Sequence, residues 1–253
     1  MTIATVEMSA AIDELLNSAA ISDYCPNGLQ VAGKAIISKV VTGVTASQAL
    51  IEKAIDRQAD AILVHHGYFW KGEDATITGM KRRRIKALLE HDINLLAYHL
   101  PLDIHPQLGN NAQLGQLLSV NNIRPLSGVK PEGIVMHGEL DDPAKPQAFA
   151  DKLTRVLARK PLIAGPDDKE ISRVAWCTGG GQGFIEQAVA AGVDAFITGE
   201  VSEQTVHTAR ECGVVFFAAG HHATERYGVK ALGEYLAEQY AISVEFIDIP
   251  NPV

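Results

Sequence analysis

Asp60-Ala61-Ile62-Leu63-Val64-His65-His66-Gly67-Tyr68-Phe69-Trp70 is the stretch on which the fold turns. Ala61 to Val64 is a continuous apolar run, too short for a helix, as expected of a strand buried on both faces in a parallel sheet. The two histidines then fall where the strand gives way to a loop, at the carboxyl edge where α/β sheets bind ligands. Neighbours on an extended chain point to opposite sides. The expectation is therefore that His65 and His66 serve different ions rather than sharing one.

Working outward, the pattern alternates strand and helix: strand 40–44, turn 45–47, helix 48–57, strand 61–64, helix 81–91, strand 95–98, and a loop through Asp103 into a short helix ending near Leu118. Such alternation makes βαβ units and a mostly parallel sheet. A modest amphipathic helix is expected over 6–16. Asp23-Tyr24-Cys25-Pro26-Asn27-Gly28 carries turn chemistry and reads as a surface turn. In the second half, a shift of 134 residues lays Val40 on Val174, Gln48 on Gln182 and Asp60-Ala61 on Asp194-Ala195 without a gap. His65-His66 then corresponds to Gly199-Glu200. The expectation is an α/β chain of two pseudo-repeated αβα domains, 1–125 and 126–253, with helix 147–158 and a closing strand 244–249 in the second. Both third strands end in polar residues, His99 to Asp103 and His221 to Glu225, so two half-sites facing one metal cleft follow.

With 253 residues, 47% of them hydrophobic, the chain can bury a full core. A formal charge of −8 argues against a general nucleic-acid binder, leaving only a local basic patch open. Cys25, Cys177 and Cys212, odd in number and without C-x-x-C spacing, favour reduced thiols in a cytoplasmic protein. Neither a signal peptide nor a membrane span is read from the sequence.

The chemistry concentrates in His65, His66, His99, Asp103, His221, His222 and Glu225. His221 and Glu225 share a face if their segment is helical. Mixed imidazole and carboxylate donors suit zinc, iron(II) or manganese, and a carboxylate can bridge two such ions about 3.5–4 Å apart. Each histidine alone is more often a hydrogen-bonded structural group; two His-His pairs after apolar strands, with acids nearby, reverse that balance. His91, His105, His137 and His207 lack the context and read as structural. Gly179 to Gly183 could cradle a phosphate or form a tight turn. Lys81-Arg82-Arg83-Arg84 could attract a phosphorylated ligand or be a solvated helix start. Tyr68-Phe69-Trp70 could stack a base or pack a subunit interface. Glu200 could be a general base or orient a ligand histidine.

Asn-Gly-Leu-Gln-Val (27–31), Val-His-His-Gly (64–67), His-Leu-Pro-Leu-Asp (99–103), Gly-Asn-Asn (109–111), Thr-Gly-Glu (198–200) and Gly-His-His-Ala-Thr-Glu (220–225) together resemble the Nif-three-like family, whose bacterial members bear the name of a type-two homologue of GTP cyclohydrolase I. The resemblance runs over nearly the whole chain. It implies two divalent metal ions per subunit (iron, zinc, manganese or similar) on His65, His66, Asp103, His221 and Glu225, with Glu225 bridging. It places His99 beside the metals and implies a ring-shaped homohexamer. The reading that follows is a dinuclear metal-dependent hydrolase acting on a small, nucleotide-like molecule through a metal-activated water, by ring opening or phosphoester hydrolysis, with Glu200 or His99 handling protons. The alternative is a non-enzymatic protein that binds, stores or delivers metal, or a scaffold in DNA repair or stress.

Overall fold

The computed structural model describes all 253 residues. From the amino end the chain forms β1 (Ile3–Ala4), α1 (Thr5–Leu15), β2 (Gly28–Val31), β3 (Ile36–Ile37), β4 (Lys39–Thr45), α2 (Gln48–Asp56), β5 (Ala61–His66), α3 (Gly79–Glu90) and β6 (Asn94–Ala97). Next come α4 (Leu100–Ile104), α5 (Asn110–Leu117), β7 (Val120–Pro125), β8 (Met136–Ala144), α6 (Pro146–Leu157), β9 (Leu162–Ala164) and β10 (Ile171–Cys177). The remainder is α7 (Ile185–Ala190), β11 (Ala195–Thr198), α8 (Glu203–Cys212), β12 (Val215–Ala218), α9 (His221–Thr224), α10 (Arg226–Tyr240) and β13 (Ser243–Phe246).

Two compact units result: Met1–Leu102 with Gly228–Ile249, and Asp103–Tyr227 with Pro250–Val253. This differs from a single cut at residue 126. β7 already belongs to the second unit's sheet, and β13 returns to the edge of the first, where Val244 pairs in parallel with Val40.

The first unit's sheet has the order β13-β4-β5-β6-β2, with only β2 antiparallel. β5 sits at its centre, which is why Ile62, Leu63 and Val64 are all fully buried and the run does not alternate. On one face Val41, Ile62, Val64 and Leu95 share a core with Leu50, Ile51 and Ala54 of α2 and Ile85 and Leu88 of α3. Each of the valine, leucine and isoleucine side chains contributes about 1.5–3 kcal/mol on burial. Ser47 starts α2 by accepting the Leu50 amide at 3.3 Å, satisfying one donor the helix leaves unpaired.

The second unit's sheet runs β7-β8-β10-β11-β12-β9. Its centre, β10-β11-β12, is parallel, while β7, β8 and β9 pair antiparallel. It is thus more mixed than the strand and helix pattern implies. Trp176, Phe149 and Phe217 anchor its core, and the Trp176 indole donates to the Asn111 carbonyl at 2.9 Å.

One arrangement occurs in both sheets. Val40 pairs with Ala61 and Val174 with Ala195, positions related by the 134-residue shift. At the amino end of β5, Asp60 accepts the amides of Ser38 and Lys39; at the amino end of β11, Asp194 accepts those of Ser172 and Arg173. No helix is long and apolar enough to cross a membrane.

Candidate metal centre

In the first unit β5 continues through both histidines, two residues beyond the expected end. Their rings nevertheless do not part to opposite sides: the centroids are 4.5 Å apart. At the end of the strand each ring is drawn sideways by a neighbouring segment. His65 Nδ1 bonds the Tyr98 carbonyl at 3.0 Å, just past β6, and His66 Nδ1 meets Thr45 Oγ1 at 3.1 Å, at the end of β4. His99 completes a group in which the ligand atoms of all three histidines lie within 4.8 Å of one another. The two rings therefore share one side at the strand end rather than facing apart as strand alternation predicts.

A carbonyl can only accept, so Nδ1 of His65 carries the proton and Nε2 the lone pair, as in metal-bound histidines that donate to a carbonyl or carboxylate. His99 is held similarly. Its Nδ1 lies 2.7 Å from Asp23 Oδ1, and its backbone amide donates to Asn27 Oδ1 at 2.7 Å. Asp23 also accepts from Asn27 Nδ2 and from the amides of Tyr24 and Leu100. Burial alone would raise the Asp23 pKa, but these donors, His99 foremost, outweigh it and hold the group at about 2. The 23–28 segment is thus a bracket for His99 rather than a surface turn: the Asp23 side chain is only 2% exposed. Gln30 ties the same motif to the histidine loop, accepting the Tyr68 amide at 2.7 Å and donating to the Tyr68 carbonyl at 3.2 Å. Cys25, beside Asp23 and His99, has its thiol pushed up to about 12 by burial and by the Asp23 charge, so it stays protonated at neutral pH.

In the second unit His221 opens the short helix α9, and its Nε2 lies 3.1 Å from Glu225 Oε2, as i, i+4 spacing allows. Nδ1 of the same ring lies 2.8 Å from Glu200 Oε1, and Gln182 donates to Glu200 Oε2 at 3.2 Å. Burial alone would lower the His221 pKa, yet Glu225 and Glu200 hold it up at about 9. Glu200 thus holds the His221 ring in place. Asp103 stands on a helix, α4, rather than in a loop; Asn110 Nδ2 donates to its Oδ1 at 2.8 Å and Thr178 Oγ1 at 3.4 Å. Carboxylate oxygens of Asp103 and Glu225 come within 4.8 Å of each other. Glu225 is therefore common to His221 and Asp103 within this unit. Besides burial, both carboxylates push the buried Cys177 thiol upward. No grouping of ligand atoms includes His222.

Gly179 makes room for this cluster. It sits at φ +65°, and a Cβ there would collide with the Glu225 carboxylate. The amides of Gly179 and Gly181 go to the hydroxyls of Thr224 and Thr198, so the glycine run is a tight turn and not a phosphate cradle. Lys81 is not solvated: it pairs with Glu73 at 3.6 Å and lies over the Phe69 ring, whereas Arg82 and Arg83 are exposed. Tyr68 is buried, its hydroxyl on the Ala46 carbonyl, and Trp70 sets its ring edge against His99 with centroids 4.9 Å apart. His105 accepts the amides of Gln107 and Leu108, a structural role. Asp23, Asn27, Asn110 and Thr178, which brace His99 and Asp103, are residues that local sequence pattern does not single out as partners of these groups.

The sequence profile of the Duf34/NIF3 (NGG1p interacting factor 3) family matches residues 3–252. The chain belongs to the DUF34/NIF3 family. A Salmonella typhimurium protein named GTP cyclohydrolase 1 type 2 homolog is 60% identical over 247 residues, 97% of this chain and 98% of that one. A Pseudomonas aeruginosa protein of the same name is 56% identical over 252 residues, the full length of both. Among solved structures, one described as protein ybgI, of unknown function, has a TM-score of 0.94 at 57% identity, covering 99% of this chain and 100% of its own. In this DUF34/NIF3 member, then, imidazole and carboxylate groups able to hold metal lie at the carboxyl ends of both parallel sheet centres.

Proposed function

We propose that this chain is a dinuclear metal-dependent hydrolase acting on a nucleotide-like small molecule, with His65, His66, Asp103, His221 and Glu225 holding two divalent ions of the iron, zinc or manganese type. The observation that carries the reading is the convergence of the His65, His66 and His99 ligand atoms within 4.8 Å, with Nδ1 of each ring already engaged. Nε2 is then the nitrogen each ring offers. The donor chemistry fits: neutral imidazoles and carboxylates are the ligands such ions take.

When bound, a pair of ions of this kind supplies Lewis acidity and activates water near neutral pH. The chain's own groups do the rest. Glu200 fixes the ring of His221 and is half open to solvent, placed to take up a proton. His99, braced by Asp23 and Asn27, holds its imidazole beside those of His65 and His66 and can accept or return one. The protein is further proposed to work in the cytoplasm as a homohexameric ring; light scattering that returned a monomer would remove the ring.

Protein loaded with manganese, iron or zinc and incubated with GTP and a panel of phosphoesters tests the activity. The expected result is metal-dependent turnover that His65→Ala and Glu225→Ala abolish. Absence of turnover with metal bound would leave storage or delivery of metal as the function, and turnover surviving both substitutions would place the chemistry elsewhere.

A further inference from the structure

We infer that the second unit carries a binding pocket for a phosphorylated small molecule of nucleotide size, with Arg159 and Lys160 gripping the anion. A cavity of about 660 Å³ lies there, lined among others by these two cations, Glu200, Leu162, Val201 and Val253. That volume is within the range of small-molecule sites. Ala158, at φ +50°, ends α6 in the left-handed conformation and turns the two basic residues out of the helix.

Arg159 is held in place. Its Nη2 donates to the Pro252 carbonyl at 2.7 Å, and its side chain lies over Gly220, where a Cβ would sit 2.5 Å from Nε. Gly220, at φ +101°, immediately precedes His221, so the arginine is packed onto the backbone that presents that histidine. A guanidinium has five N–H donors in a fork that suits phosphate, and neither Arg159 nor Lys160 forms an ion pair with a carboxylate. The one acidic side chain in the lining, Glu200, is engaged by His221 and Gln182. The two cations, neither paired with a carboxylate, are the groups left to meet an anion.

The walls ask for more than a bare anion. Of the four exposed large apolar residues in this unit, Leu117, Leu162, Val201 and Val253, the last three line the cavity. An organic body laid against them would cover surface that otherwise meets water. The anion site stands by itself; that the reacting end of the molecule points to Glu200 and His221 rests on the hydrolase reading.

Calorimetric titration of the full chain, stripped of metal by a chelator, with inorganic pyrophosphate and with GTP tests the pocket. Both are expected to bind, GTP the tighter, and Arg159→Ala and Lys160→Glu should each weaken GTP about tenfold or more. Leu162→Trp should weaken GTP while leaving pyrophosphate unchanged. Because Arg159 also holds the tail at Pro252, the exposed Lys160 decides the matter if Arg159→Ala fails to fold. Wild-type affinity in Lys160→Glu, or no heat from either probe, overturns the pocket. Binding that is sensitive to these substitutions in a protein with no metal-dependent turnover would keep the pocket and discard the hydrolase.

Discussion

Asp60 in the first unit and Asp194 in the second do the same work. Each stands at the amino end of the second strand of its parallel trio and accepts the two amides that begin the first strand. At the other end of those strands the units part. One presents His65 and His66; the other, 134 residues further along the chain, presents Gly199 and Glu200. The first supplies ring nitrogens directly, whereas the second supplies a carboxylate that steadies His221. The amino edge thus carries the same carboxylate brace in both units, whereas the carboxyl edge gathers imidazole and carboxylate groups able to hold metal, arranged differently in each, at the end where ligands gather in α/β sheets.

That division can be broken by substitution. The largest effect is expected from His65→Ala, which removes a nitrogen from the three-histidine group; elemental analysis should show metal falling from about two ions per chain to one or none, with the fold intact by circular dichroism. Next, Glu200→Gln should weaken metal binding by about 10–100-fold in a metal titration, because it loosens the His221 ring without removing a ligand. A change as large as that of His65→Ala would mean that Glu200 is itself a ligand.

The amino edge should respond in stability instead. Despite burial, hydrogen bonds from Lys34, Ser38 and Lys39 hold the Asp60 carboxyl at about 2, below its ordinary value. A carboxylate with a lowered folded-state pKa stabilises the fold above its unfolded pKa near 4, and that contribution is lost as pH falls through the window from about 4 to about 2. Asp60→Asn should therefore cost about 1–2 kcal/mol at neutral pH, after allowance for solvent screening, and flatten acid denaturation in that window. Asp194→Asn should cost less, about 1 kcal/mol by urea unfolding, since Lys169 stands 3.7 Å from Asp194 whereas Lys34 lies 2.6 Å from Asp60. Metal content should be unchanged in both; a loss would erase the distinction between the two edges.

Much of this was legible from the residues. The buried run 61–64, the helix after Ser47 and the i, i+4 pair His221 and Glu225 follow from local pattern, and the structure forms each of them. Asp23 was not legible because its partner His99 lies 76 positions away, and Pro and Asn-Gly signal only that the chain turns. The return of β13 to the first sheet depends on pairing with a strand about two hundred residues earlier, which periodicity does not encode. The glycine run by its pattern suits either an anion cradle or a tight turn; the acceptors that decide for the turn, two threonine hydroxyls, come from elsewhere in the chain.

Trp70 gives the protein an optical gauge of its own. It is one of only two tryptophans, and the other, Trp176, is sealed in the core of the second unit. The indole of Trp70 is anchored to the Gly67 carbonyl and abuts His99 and, more distantly, His66. Indole emission is quenched by a protonated imidazole and by open-shell ions at short range. Titrating manganese or iron into the chain should therefore dim one tryptophan and spare the other, so occupancy of the histidine group can be followed in solution without a label.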